Sequence, residues 1–177
     1  MKQISIKMSM ISLAILALLS SCGDKKKEEN SATVAPTTAP PELYQEVQVA
    51  DFGTGPFTIS PIEEGMSYAL NYNTRDGEEI NVLGSVVKDP TGLGLLTIEK
   101  MYSIGDKYVA VVSTAERMPD CKATTYAFTF DSRSESVVGA TNIAGCSEKV
   151  YVVVEGDKLT IKKDGKESVI VSGEISK

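Results

Sequence analysis

Residues 123–131 read Ala-Thr-Thr-Tyr-Ala-Phe-Thr-Phe-Asp, 132–135 read Ser-Arg-Ser-Glu, and 136–143 read Ser-Val-Val-Gly-Ala-Thr-Asn-Ile. In the first stretch Tyr126, Phe128 and Phe130 alternate with Thr125, Ala127 and Thr129. Successive side chains on a strand point to opposite faces, so this alternation predicts a half-buried antiparallel strand. A second apolar stretch after a short polar turn predicts a hairpin. If Asp131 faces Ser136, Phe130 lies beside Val137 and Phe128 beside Gly139. An aromatic ring over a strand glycine is a favourable pairing. The same register, carried past the strand ends, sets Cys121 opposite Cys146. Directly opposed residues have Cα atoms about 4.5–5.5 Å apart, within the range of a disulfide.

Period two recurs along the chain. Tyr68, Leu70 and Tyr72 alternate with Ala69, Asn71 and Asn73, and Leu159 and Ile161 with Lys158, Thr160 and Lys162. Strands are predicted near 43–51, 56–60, 67–73, 79–88, 94–103, 107–113, 123–131, 136–143, 149–155, 158–163 and 168–175. Asp76-Gly77, Gly105-Asp106, Gly156-Asp157 and Asp164-Gly165 separate apolar runs and read as tight turns. No segment after residue 42 keeps a helical period over ten residues. Short connections make successive strands neighbours. The expectation is an all-β domain over 42–177, an antiparallel up-and-down β-barrel of about eight lipocalin-like strands, with a two-sheet β-sandwich as the alternative.

Residues 30–41, Asn-Ser-Ala-Thr-Val-Ala-Pro-Thr-Thr-Ala-Pro-Pro, cannot bury enough apolar surface to offset their ordering entropy. Residues 22–41 read as a tether that extends up to about 60 Å in polyproline conformation. Ahead of it, Lys2 and Lys7 precede an apolar run from Met8 to Leu19. Such a run covers roughly 18 Å as a helix, too short for a bilayer of about 30 Å, and reads as a secretory signal over residues 1–21. The segment Leu19-Ser20-Ser21-Cys22 resembles the lipobox of bacterial lipoproteins. The resemblance implies that the Cys22 thiol carries diacylglycerol, that cleavage precedes it, and that the new amino group is acylated, as by palmitate. It places the protein at a bacterial membrane, the outer membrane by expectation, held through covalent lipid. Two or three acyl chains anchor firmly where one does not.

Of 18 basic and 24 acidic residues, residues 1–21 hold two Lys and no acid, so the remaining 156 residues carry a net charge of −8. Phosphate backbones need clustered Lys and Arg, so no nucleic acid partner is expected. The chain contains no His. That removes Ser-His-Asp and Cys-His nucleophiles and the usual catalytic zinc sites. With Cys22 lipidated, Cys121 and Cys146 remain, and an oxidising compartment pairs them.

Other motifs read as structure. Ser85-Val86-Val87-Lys88 has the Ser-x-x-Lys spacing of the penicillin-recognising enzymes, but on the predicted strand its ends face opposite ways. Gly92-Leu93-Gly94 reads as a turn, since neither Gly-Lys-Ser/Thr nor a helix follows. Asn73, Asp76, Glu78 and Glu79 surround a hairpin tip without EF-hand spacing. Glu116 and Asp120 read as solvated loop acids. Strand tyrosines Tyr68, Tyr72, Tyr102, Tyr108, Tyr126 and Tyr151 read as core with hydroxyls at the rim.

No cofactor and no enzymatic activity are expected. The expected role is that of a non-enzymatic binding module for another protein, adhesin- or inhibitor-like. The alternatives are a carrier of a small apolar ligand and a structural envelope lipoprotein. Candidate binding loops are Pro61–Met66, Met118–Lys122 and Ile143–Glu148, with Pro61, Glu63, Glu64, Met118, Pro119, Asp120, Asn142 and Ser147 as the candidate residues. The disulfide would fasten the last two together.

Overall fold

The run Val109-Ala110-Val111-Val112 is fully buried, residue after residue. Neighbours on a strand face opposite ways, so such a run needs cover on both sides. The structure, a computed structural model, supplies that cover. It describes residues 42–51, 53–62, 67–87, 94–115 and 121–175. The expected signal and tether, Cys22, Glu63, Glu64, Lys88, Glu116, Met118, Pro119 and Asp120 lie outside these.

The strands in chain order are β1 (Gln45–Val47), β2 (Gly53–Thr54), β3 (Phe57–Ile62), β4 (Ser67–Asn73), β5 (Glu79–Asn81), β6 (Leu96–Ile104), β7 (Lys107–Ala115), β8 (Ala123–Asp131), β9 (Ser136–Ile143), β10 (Tyr151–Glu155), β11 (Lys158–Lys163) and β12 (Lys166–Val171). They form three antiparallel sheets, ordered β1-β6-β7-β8-β9, β2-β3-β4-β5 and β10-β11-β12. The five-stranded sheet lies between the other two. On one face Ile98, Met101, Ala110, Val112, Phe128 and Phe130 pack against Phe57, Leu70 and Tyr72 of the four-stranded sheet. On the other, Tyr102, Val109, Val111, Ala127 and Ile143 pack against Leu159, Ile161 and Ile170 of the C-terminal sheet.

The expected eight-stranded barrel does not close. Among the described residues, β1 offers only three residues at one edge of the central sheet, and β9 at the other edge has β8 as its only strand partner. Each sheet stays open and buries its apolar side against a neighbour, as in a sandwich with one more sheet than expected.

Two local expectations also change. The predicted strand 79–88 stops at Asn81, whose side chain accepts from the backbone of Leu83 and Gly84 and caps a 3-10 helix over Val82–Ser85. Ser85 therefore sits in a helical turn, and the opposite-face argument for Ser85 and Lys88 does not apply. In the β8–β9 hairpin Asp131 faces Ser136 and Phe130 faces Val137 as expected, but Thr129 faces Gly139 and Phe128 faces Ala140. Val138 is the extra residue of a β-bulge, which shifts the register by one. Gly139 instead eases a close approach: a Cβ there would lie 3.3 Å from Cβ of Ile175.

The strands give the domain two ends. At the first, Asp106, Ser132 and Glu135 sit in adjoining turns. Ser132 N–H and Oγ–H donate to Asp106 O, and Arg75 N–H donates to Glu135 Oε1 at 2.8 Å. Residue 42 enters here. The Glu42 carboxylate lies against Gly105, and the Tyr44 hydroxyl accepts from Gly173 N–H at 2.8 Å. The second end holds the start of β8, the end of β9 and both cysteines. Nine-residue β8 separates the two by about 30 Å.

Candidate binding surface

Cys121 precedes β8 and Cys146 follows β9; they are bonded, with Cα atoms 4.7 Å apart. Ala123 N–H donates to Cys146 O at 3.3 Å, so the backbone closes the same gap. Asp164, in the Asp-Gly turn between β11 and β12, adds a second fastening. Its Oδ2 accepts from Cys146 N–H at 2.8 Å and from Ser147 N–H at 3.0 Å. Gly145 makes this approach possible, because a Cβ there would stand 2.6 Å from that oxygen. The bond between cysteines thus links β8 and β9, and Asp164 links the following loop to the C-terminal sheet.

These two backbone donors, Ser147 first, hold the Asp164 carboxyl below its ordinary range. A group whose folded pKa is depressed stabilises above its unfolded value, and the contribution is lost as pH falls through the folded value. Hydrogen-exchange protection of residues 144–149 is therefore expected to fall selectively below the ordinary aspartate range, while β7 and β8 remain protected. Asp164→Asn should remove that pH dependence; protection that is flat with pH in the unaltered protein would refute the latch.

Behind this loop lies Lys163, 1% exposed. Its ammonium donates to Ala123 O and to Thr125 Oγ1, both at 2.8 Å, and Thr125 Oγ1 lies 2.9 Å from Ser113 Oγ. A buried lysine is rare unless its donors are met. Its signal was present in the sequence. Period two on β11 puts residue 163 on the face of Leu159 and Ile161, the buried side.

In front of this network a groove of about 280 Å³ opens beside Leu95, Thr97, Glu99, Ser113, Lys122 and Glu148. Leu95 is 60% exposed at its lip. At the same end, the outer face of the C-terminal sheet carries Tyr151, 62% exposed; Val153 and Val169 are exposed further along that face, and Val171 at the domain's first end. The surface thus offers hydroxyls, carboxylates and apolar side chains on a backbone fixed by a covalent bond and Asp164. That combination suits recognition of another molecule.

The structure brings Ser147 into this surface through its backbone bond to Asp164. Asn142 stands exposed on β9 opposite Tyr126. Pro61 is not a loop residue; it pairs with Tyr68 inside the four-stranded sheet. Sequence reasoning missed Leu95, Thr97 and Glu99, because nothing in a strand's alternation tells which edge stays open. Of the tyrosines, Tyr72 and Tyr102 are buried on opposite faces of the central sheet, whereas Tyr151 is exposed. At the hairpin tip Asn71 Nδ2–H donates to Glu79 Oε1 at 2.5 Å, so Glu79 turns toward its own sheet. Among the described residues no cluster of carboxylate, Cys or His side chains could hold a metal ion, and no helix is long and apolar enough to cross a membrane. No protein family, curated protein or solved structure matches this chain.

Proposed function

We propose that the protein is a lipid-anchored lipoprotein of a bacterial envelope, most simply of the outer membrane, whose β domain is a non-enzymatic binding module for another protein. The lipobox at Cys22 and the Pro/Thr/Ala-rich tether supply the anchor. One observation carries the binding reading: residue 42 enters at one end of the strands, and the disulfide-fastened surface lies at the other. A domain attached by its first end presents the second to its surroundings. Rigid loops bind with less ordering cost than mobile ones, and both fastenings lie at this far end.

Two measurements test this. Cys22→Ser should move the protein from the membrane fraction to the soluble fraction of fractionated cells. Unchanged membrane partitioning with unchanged processing would refute the anchor. A photo-crosslinking residue placed at Glu148 in living cells should give a discrete protein adduct, while one at Asp76, at the attachment end, should not. Equal adducts from both positions, or none from either, would refute the binding surface.

A further inference from the structure

The outer edge of β6 is only partly used. β1 pairs with Met101, Tyr102 and Ser103 alone. Beyond Val47 the described chain makes no further ladder pair with β6: Ala50 bridges to Gly53, and Val49 to Asp51 stand across a cavity from Leu95 to Ile98. Among the described residues no strand pairs with the outer edge of β6 from Leu96 to Lys100. Alternate N–H and C=O groups along an unpaired edge are a template for another strand.

Cavities flank this edge on both faces. Toward the four-stranded sheet lies one of about 410 Å³, lined by Val49, Ala50, Asp51, Ile59, Leu96 and Ile98. On the opposite face lies the groove of Thr97, Glu99, Ser113 and Glu148 already described. Side chains of an added strand would alternate between the two. The first is lined by Val49, Ile59, Leu96 and Ile98, with the Asp51 carboxylate among them; the second holds hydroxyls and two carboxylates against one ammonium. A bulge between Ile98 and Lys100 makes Glu99 the extra residue on β6, and bulges re-aim side chains where strand pairing ends.

Resting on the binding-module reading, we propose that this edge takes an extended segment of the partner protein by strand addition. Apolar side chains enter the Val49–Ile59–Ile98 cavity, and basic side chains lie between Glu99 and Glu148. Main-chain hydrogen bonds hold the segment and the two cavities select it. The run from Leu96 to Lys100 accommodates about five residues, roughly 16 Å, before Val47 of β1 blocks further pairing. Charge favours a basic segment over a second copy. Two β6 edges paired antiparallel would bring two sets of Glu99 and Glu148 together, on chains that are each net acidic.

The test is hydrogen exchange on the intact protein, extracted from membranes in detergent, with short synthetic peptides as probes. A peptide of alternating valine and lysine should slow exchange of the edge-facing amides within residues 96–100, those not bonded to β7. Alternating valine and glutamate should bind about tenfold more weakly, the size of one charge contact. N-methylation of alternate amides in the valine–lysine peptide should abolish protection, and Glu99→Lys should invert the charge preference. The amides of this run that do not bond β7 are the informative ones; if these are already protected in the peptide-free protein, its own chain covers the edge and the proposal is overturned. So would unchanged exchange with every peptide, or self-association in sedimentation that accounts for the protection. Adducts from Glu148 without any peptide effect would reject strand addition while leaving the binding module in place; loss of both would reject both.

Discussion

Phe130→Ala is expected to lower the unfolding free energy by about 3–5 kcal/mol in urea denaturation. Phe130 is fully buried and joins two sheets. Its ring centroid lies 5.4 Å from that of Phe57, edge-on, and 4.4 Å from that of Tyr72. Removing it takes away the transfer term, leaves a cavity, and breaks two aromatic contacts. The arrangement of sheets makes a second, sharper demand. Ile161 is also fully buried, but on the opposite face of the central sheet. Ile161→Val should cost about 0.5–1.5 kcal/mol and add to Phe130→Ala within about 0.5 kcal/mol, because the two belong to separate core clusters. Phe57→Leu combined with Phe130→Ala should be non-additive. Strong coupling between Phe130 and Ile161 would mean one shared core, and would refute the central sheet with separate cores on its two faces.

Much of this architecture was legible in period two. Strands 67–73, 123–131, 136–143 and 158–163 have the expected bounds, because alternating aromatic and β-branched residues allow little else. The assignment of strands to sheets was less accessible. Hairpin turns say which strands are neighbours, but a run of hairpins can close, fold over once or fold over twice. Val109 to Val112 carried the missing information. An unbroken apolar run on an antiparallel strand is buried on both sides, which a simple barrel or two-sheet sandwich does not require. The 3-10 turn at Val82 was masked by its own apolar residues, although Asn81 is a capping residue and Gly84 weakens a strand.

The candidate surface divides in the same way. Cysteine count and approximate register sufficed to pair Cys121 with Cys146, since a hairpin brings its two flanks together even when a bulge shifts its middle. The Val138 bulge itself left no mark in the sequence, because an unpaired residue has no distinctive side chain. The open edge of β6 was equally invisible. It depends on where β1 stops and on Ala50 bridging back to Gly53, a matter of backbone path rather than residue type.

Replacing both cysteines by alanine is expected to lower stability by about 3.5 kcal/mol, from the entropy of opening a loop with a sequence separation of 25 residues. For a domain of this size that is roughly 10–15 °C in Tm. The effect is assigned to the unfolded state, so the dependence of unfolding on urea should steepen as the denatured chain expands. The fold should persist. Neither core cluster includes a cysteine, Ala123 still bonds Cys146 O through backbone, and Asp164 still accepts from residues 146 and 147. Loss of protection should therefore be local, confined to 121–123 and 144–149. Asp164 and the disulfide hold the same loop, so Asp164→Ala should cost more without the cysteines than with them. Additive costs would show two independent fastenings. A Tm change of only a few degrees, with 144–149 still protected, would show that Asp164 and Ala123 alone fix this end and that the covalent bond is not what stiffens the candidate surface.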